Sequence, residues 1–256
     1  MDMSKLLSII TVTYQAEAFI ENTLRSIFSQ DEQDFEVIIM DGGSRDRTLE
    51  LVQTYVKQIA HIVSEPDKGI YDAMNKGMAL ATGKYIYFLN AGDTFAGPDT
   101  LRQILKDLQN NPDVLYGDAI FVNPSGKAIG LRSEVSPHAL PEQLTWKDFN
   151  KGMVVCHQAF IARRELAPNF SMDYRMSSDI DWEINCLKLS HQIQKTQYPI
   201  CRYLMGGASV KNLKTSWKER FQILSKHFGF FTTCFNHLII ILRGFVFSWQ
   251  KRGKYW

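Results

Sequence analysis

An alternation constrains this chain more than any other feature. Over residues 1–120, short runs of β-branched and aromatic residues take turns with stretches whose apolar residues recur at helical spacing. Leu7-Ser8-Ile9-Ile10-Thr11-Val12-Thr13 reads as a buried strand, followed by Phe19, Ile20, Leu24, Ile27 and Phe28 on one helical face. Phe35–Met40 is a second strand ending at Asp41-Gly42-Gly43-Ser44, after which Asp46 caps a helix with Leu49, Val52, Val56 and Ile59 inward. His61–Ser64, a helix over Ile70–Ala81, and Tyr85–Leu89 continue the series. Pro98 then opens a helix carrying Leu101, Ile104, Leu105 and Leu108. Val114–Tyr116 and Ala119–Val122 precede a turn at Asn123–Gly126 and another strand. Strands separated by helices need right-handed crossovers. The expected class is α/β, a mostly parallel central sheet flanked by helices.

Beyond Val135 the pattern is less regular: 141–151 read as helical, Val154–Ile161 as extended and Asp179–Ser190 as helical. No repeat or linker divides the chain, so residues 1–210 are expected to form one unit, with a ligand-binding half (1–120) and a second half (121–210). Residues 211–256 differ in charge. They hold nine Lys or Arg against one Glu, whereas 1–210 hold 20 basic and 26 acidic residues. An acidic body with a basic, patchily apolar helical tail points to an anionic partner for the tail. The longest uncharged run, Phe228–Leu242, is 15 residues, short of the roughly 20 that cross a bilayer. A membrane-interface helix is expected rather than a span, with packing on the body or in a homodimer as its other use. Nucleic acid is excluded as a partner, because the basic residues surround an apolar tail instead of lining a groove. The opening residues lead straight into a strand and read as no secretory leader. Cys156, Cys186, Cys201 and Cys234 form no CxxC pair, which fits reduced thiols in the cytoplasm.

In an open parallel sheet, ligands bind beyond the carboxyl ends of the strands. Those ends carry Thr11 to Tyr14, Asp41-Gly42-Gly43-Ser44, Glu65-Pro66-Asp67 and Asn90-Ala91-Gly92-Asp93. Neither GxGxxG nor GxxxxGK[ST] occurs, so the dinucleotide fingerprint and the P-loop are missing. An acidic rim repels bare phosphate unless a divalent cation lies between, and oxygen ligands suit Mg²⁺ or Mn²⁺. Tyr14 can stack on a base, and a carboxylate can accept from a base N–H or a ribose hydroxyl. Together these describe a metal-assisted nucleoside-diphosphate site.

Ser8–Gln15, Ile39–Thr48 and Asn90–Asp93 resemble the family-two glycosyltransferases of GT-A fold. Ser64-Glu65-Pro66-Asp67-Lys68-Gly69-Ile70-Tyr71-Asp72-Ala73-Met74-Asn75-Lys76-Gly77 resembles the branch serving bacterial exopolysaccharide, colanic acid in particular. The resemblance implies that Thr11, Tyr14, Asp41 and Asp67 hold the nucleoside and that Asn75, Asn90 and Gly92 belong to the donor site. It makes Asp93 the metal ligand. Asn90 stands where relatives carry an earlier carboxylate, and Met74 where many carry Arg; Lys68 or Lys76 are the candidates to replace that charge. In Tyr174–Trp182, the family's general base falls on Asp179. Helical geometry turns Asp181 about 200° away from it. His157, Trp182, Gly206 and Gly207, the last two within Met205–Ser209, are expected on the acceptor or diphosphate side.

The implied activity is inverting hexose transfer from a UDP- or GDP-linked sugar to a lipid-linked oligosaccharide, peripheral on the inner face of the cell membrane. Two other readings stay open: a sugar nucleotidyltransferase, which usually needs a Gly-rich basic loop absent from Thr13–Glu17, and a nucleotide-sugar-binding protein without turnover.

Overall fold

Strand β1 (Leu7–Thr13) is buried on both faces, and the molecule is arranged around it. The computed structural model describes residues 5–30, 32–207 and 212–250. α1 (Ile20–Phe28), β2 (Phe35–Asp41), α2 (Thr48–Gln53), β3 (His61–Ser64), α3 (Ile70–Leu80) and β4 (Tyr85–Phe88) follow in order. After them come β5 (Thr94–Phe95), α4 (Thr100–Leu108), β6 (Val114–Tyr116), β7 (Ala119–Val122), β8 (Ala128–Leu131) and α5 (Arg132–Val135). The rest is β9 (Phe160–Arg163), α6 (Ser178–Leu189), β10 (Ile193–Lys195), β11 (Cys201–Leu204), α7 (Leu213–Phe228) and α8 (Phe230–Gln250).

A seven-stranded sheet has the order β10-β6-β9-β4-β1-β2-β3, parallel throughout except for β9. Alternation along each strand sorts its side chains to two faces. Leu7, Ile9, Val37, Ile39, Tyr85 and Tyr87 pack with Ile20, Leu24 and Ile27 of α1 and with Leu101, Ile104 and Leu108 of α4. Ile10, Val12, Ile38, Met40, Ile86 and Phe88 meet Tyr71, Met74 and Met78 of α3 and Ile180, Ile184 and Leu187 of α6 on the other face. Each such fully buried side chain stabilises by about 1.5–3 kcal/mol relative to exposure. A second sheet, β5-β11-β7-β8, pairs β11 parallel to β7 and antiparallel to β5. It delivers Leu204, at the end of β11, to the turn after β4.

Three segments depart from the sequence reading. The helix expected over 141–151 is a 3-10 turn, Trp146–Lys151, opened by a Thr145–Asp148 capping box and closed by Gly152 at φ +101°. The extended run expected over Val154–Ile161 begins instead as a 3-10 turn, His157–Ala159, before entering β9. The tail is two helices, and α8 continues past Arg243; by length and composition Phe230–Trp249 is enough to cross a membrane. Arg243 ended the uncharged run in the sequence, yet it does not end the helix, because its guanidinium is turned onto the body.

Candidate functional site

The carboxyl edge of β1, β2, β3 and β4 is where the expected donor residues lie. Pairing puts Thr13 opposite Asp41 and Asp41 opposite Ser64, so three strand ends finish level. Asp41 is buried, and its carboxylate accepts from the Gly43 and Ser44 amides and from the Ser44 and Ser64 hydroxyls. These four donors make it the residue that shapes the rim loop. Gly42 then lies between Asp67 and Tyr14. A Cβ there would sit 2.6 Å from Asp67 Oδ2 and 3.2 Å from the Tyr14 ring, so only glycine lets the two side chains close on this point. Tyr14 is 63% exposed, its ring open to a stacking partner. Asp67 Oδ1 accepts the Gly69 amide at 2.8 Å, which fixes the carboxylate at the entrance to α3.

Not every donor candidate reaches this rim. Thr11 is fully buried and donates its hydroxyl to Leu89 O at 2.8 Å, tying β1 to β4. Asn75 clasps Phe170 with both ends of its amide, accepting at 2.8 Å and donating at 3.0 Å. Met74 is in the core beneath α3, which accounts for an apolar residue at that position. Lys76 is paired with Glu65 and Asp72.

The turn after β4 holds Asn90, Gly92 and Asp93. Gly92 has φ +105°, and a Cβ would come within 3.0 Å of Leu204. Asp93 is buried and accepts the Leu204 amide at 2.9 Å. Burial pushes its carboxyl up to about 7, against the lowering effect of the Leu204 and Gln158 hydrogen bonds. The Asn90 Oδ1 is buried without a hydrogen-bond partner among the described residues. An orphaned amide oxygen and a carboxylate from one turn are hard donors, the chemistry a Mg²⁺ or Mn²⁺ ion selects. Among the described residues no group of three or more His, Cys, Asp or Glu side chains is gathered for a metal. Remaining ligands would therefore come from the bound diphosphate or water.

Asp179 is the second residue of α6. Its Oδ1 accepts the Tyr71 hydroxyl at 3.1 Å and the Ile180 amide at 3.0 Å, leaving Oδ2 without a protein donor among the described residues. Asp181 points elsewhere, as helical spacing requires: its Oδ1 meets His227 Nε2 at 2.7 Å and Lys226 Nζ at 3.1 Å on α7. His157 is buried, stacked on Phe88 with ring centroids 5.1 Å apart, and neither ring nitrogen has a partner among the described residues. Burial lowers its pKa to about 4 despite the opposing charge of Asp179, so the ring is neutral at pH 7. Trp182 corrects an expectation. It is 1% exposed, stacked on Phe170 and donating to Pro168 O at 2.7 Å, so it packs the core and cannot stack on an acceptor sugar. Gly206 (φ +95°) and Gly207 are exposed; Ala208 and Ser209 of the same run lie outside the described residues.

Sequence reasoning passed over four residues. Thr13 Oγ1, at the end of β1, is buried and without a partner among the described residues. Tyr71 and Gly42 sit within quoted motifs, but only the fold shows what they touch. Glu183, one turn after Asp179, is fully buried with both carboxyl oxygens unpartnered among the described residues, and burial, with the Asp179 charge adding, raises its pKa well above the ordinary value. An acid inside an apolar helix face carries no separate signal in sequence.

Known proteins share this sequence and architecture. A PGL/p-HBAD biosynthesis glycosyltransferase of Mycobacterium bovis is 33% identical over 192 residues, covering 71% of this chain and 69% of its own. An uncharacterised glycosyltransferase of Methanocaldococcus jannaschii is 25% identical over 263 residues, covering 93% and 88%. Among solved structures, Staphylococcus aureus TarS in complex with UDP-GlcNAc superposes with TM-score 0.69 at 19% identity, over 85% of this chain and 64% of that one. A Pyrobaculum calidifontis mannosyltransferase in complex with GDP-Man and Mn²⁺ gives TM-score 0.66 at 17% identity, over 95% and 73%. The fold is of the GT-A type, as the resemblance implied. These relatives carry the family rather than the colanic-acid branch within it. The glycosyl transferase family 2 model matches residues 8–168, and the chain belongs to that family.

Proposed function

We propose that this protein is an inverting glycosyltransferase in which Asp179 is the general base. It would move a hexose from a nucleotide-sugar donor to a lipid-linked oligosaccharide during exopolysaccharide assembly of the colanic-acid kind. The observation that carries the reading is the hold of Tyr71 on Asp179. Tyr71 stands in the first turn of α3, four residues beyond Asp67, so the helix that begins at the nucleoside rim also anchors the base.

The chemistry follows from what each group offers. Tyr14 stacks on the base, and Asp67 accepts from the nucleoside while Asp41 holds the loop between them. Asp93 and the Asn90 amide oxygen would hold Mg²⁺ or Mn²⁺. That ion, when bound, neutralises charge on the departing diphosphate. The acceptor hydroxyl loses its proton to Asp179 as it attacks, and a single displacement inverts the anomeric carbon. His157 and Thr13 carry buried polar atoms with no partner among the described residues, and Gly206 and Gly207 add no side chain to their turn. Bound UDP-GlcNAc and GDP-Man in structural neighbours support a nucleotide-sugar donor. The basic tail, 211–256, would keep the enzyme at the inner membrane face where lipid-linked acceptors reside.

A panel of UDP- and GDP-hexoses with Mn²⁺ or Mg²⁺, scored for donor hydrolysis and transfer with a chelator control, tests this. Metal-dependent nucleoside diphosphate release, abolished in Asp179→Asn, is expected. Donor binding without turnover would favour a binding module, and pyrophosphate release from a nucleoside triphosphate would favour a nucleotidyltransferase; either overturns the reading.

A further inference from the structure

Helix α8 carries its polarity inside out. The stripe turned away from solvent carries Thr233, Asn236, His237 and Arg243 beside the half-buried Ile239, Ile240 and Phe247. Thr233 is fully buried and Asn236 nearly so, while His237 bonds the Thr233 carbonyl at 2.9 Å and packs against Phe221 of α7. Arg243, two turns on, reaches His138 Nδ1 at 2.8 Å and Lys151 O at 3.0 Å. The opposite stripe is Phe231, Phe235, Leu238, Leu242, Phe245 and Trp249, each more than 60% exposed. A helix on a protein in water buries the apolar stripe and exposes the polar one. This orientation needs an apolar medium outside.

A bilayer and a second copy of the chain both offer one, and charge separates them. Where the second half of α8 meets the 146–151 turn, a cavity of about 370 Å³ is lined by His138, Lys147, Lys151 and Arg243. Lys147 and Lys151 are exposed. Asp148, the carboxylate lining it, is engaged by the Thr145 amide and hydroxyl. Burial first, and then the guanidiniums of Arg132, Arg243 and Arg220, press the pKa of His138 down to about 3. Two copies meeting along α8 would bring these basic groups together, whereas an anionic surface neutralises them. Geometry separates lying from spanning. α8 is held to α7 through His237 on Phe221 near its start and to the body through Arg243 on His138 in its second half, so it lies against the molecule.

We propose that α8 lies in the plane of the membrane with its apolar stripe in the acyl boundary, and that the cavity of His138, Lys147, Lys151 and Arg243 receives the phosphate of an anionic phospholipid headgroup. The inference rests on the membrane-facing part of the proposed function and is independent of the transfer chemistry.

Flotation of the full chain on phosphatidylcholine vesicles, with or without phosphatidylglycerol, tests it. Retention is expected with phosphatidylglycerol. The Lys147→Glu/Lys151→Glu double variant should lose about tenfold or more of it, with the thermal midpoint and donor hydrolysis unchanged. Serines at Phe231, Leu238 and Phe245 should abolish retention. An environment-sensitive dye on Phe231→Cys, Leu238→Cys or Phe245→Cys should report one shallow depth by brominated-lipid quenching. Equal retention on neutral vesicles, or retention that survives charge reversal, would overturn the headgroup site. A graded depth along α8, or a vesicle-independent dimer dissolved by the serine variants, would overturn the in-plane helix. Intact vesicle binding with no turnover of any donor would sink the proposed function and leave this inference standing.

Discussion

Tyr71 and Asp179, 108 residues apart, meet with the phenol oxygen 3.1 Å from Oδ1. One carboxylate oxygen is thereby held by a donor whose own pKa is raised well above its ordinary value, by burial first and then by the Asp179 charge. Asp179→Asn should lower kcat by about 10²–10⁴-fold while the Kd for the nucleotide diphosphate changes little. Tyr71→Phe removes only the orienting bond, so a kcat loss of about tenfold at unchanged KM is expected. A larger effect on KM than on kcat would show that Tyr71 serves the donor and not the base.

Gly42 makes the second prediction. Because a methyl there would lie 2.6 Å from Asp67 Oδ2, Gly42→Ala must drive Asp67 or Tyr14 off the rim. Titration calorimetry should show nucleotide affinity falling by about tenfold or more, with the fold intact by circular dichroism. Tyr14→Ala removes a stacking face worth about 1–3 kcal/mol and should weaken binding by a comparable factor. Donor affinity unchanged in both variants would place the nucleoside elsewhere.

Those residues also show what could be read from sequence. Strand ends were legible because β-branched runs stop at Asp-Gly-Gly and Asn-Ala-Gly-Asp punctuation, which local chemistry dictates. The direction of each side chain was not. Thr11 and Thr13 belong to one strand and point to the same side, yet Thr11 donates to Leu89 O while the Thr13 hydroxyl has no partner among the described residues. Trp182 looked available in sequence and is sealed against Phe170, since which face of α6 meets the sheet depends on contacts more than 80 residues away. β9 escaped the parallel pattern for the same reason. An antiparallel insertion between β4 and β6 is set by pairing across the sheet, which no local window contains.

Glu183 supplies a stability prediction. Burial keeps its carboxyl protonated in the folded protein, with the Asp179 charge adding to the effect. The unfolded value is about 4.3, so between that pH and the raised folded pKa the folded state holds a proton that the unfolded state has lost. Stability from this group is therefore complete below about pH 4 and declines as pH rises. Glu183→Gln keeps the neutral shape without that decline. Its thermal midpoint should exceed that of the wild type at pH 8, and the gap should shrink at pH 5. A pH-independent gap would mean that Glu183 is ionised in the fold.

Asp181 behaves in the opposite sense. Burial pushes its pKa up, but the His227 and Lys226 hydrogen bonds and charges outweigh this and hold it below the ordinary carboxylate range. Its contribution is present above about pH 4 and is lost as pH falls further. Asp181→Asn should destabilise by about 1–3 kcal/mol at pH 7, measured by urea denaturation, because it loosens α6 from α7. Turnover per folded molecule should be unchanged. A loss of turnover comparable to that of Asp179→Asn would make Asp181 the base.

His157 separates packing from chemistry. Its ring is boxed by Phe88, Phe170 and Trp182, and both nitrogens are unpartnered among the described residues, an arrangement that packing alone would fill better with a phenyl ring. With a folded pKa of about 4 against an unfolded value of about 6.5, the neutral ring contributes stability above pH 6.5 that is lost as pH falls, by about 3 kcal/mol in all. His157→Phe should therefore raise the thermal midpoint at pH 7 and flatten its fall toward pH 5. If the ring faces the ligand, the same variant should also cut kcat at least tenfold, stability and activity moving in opposite directions. A stabilised variant with full activity would make His157 a packing residue, and the diphosphate contact would then rest on the chain around Gly206.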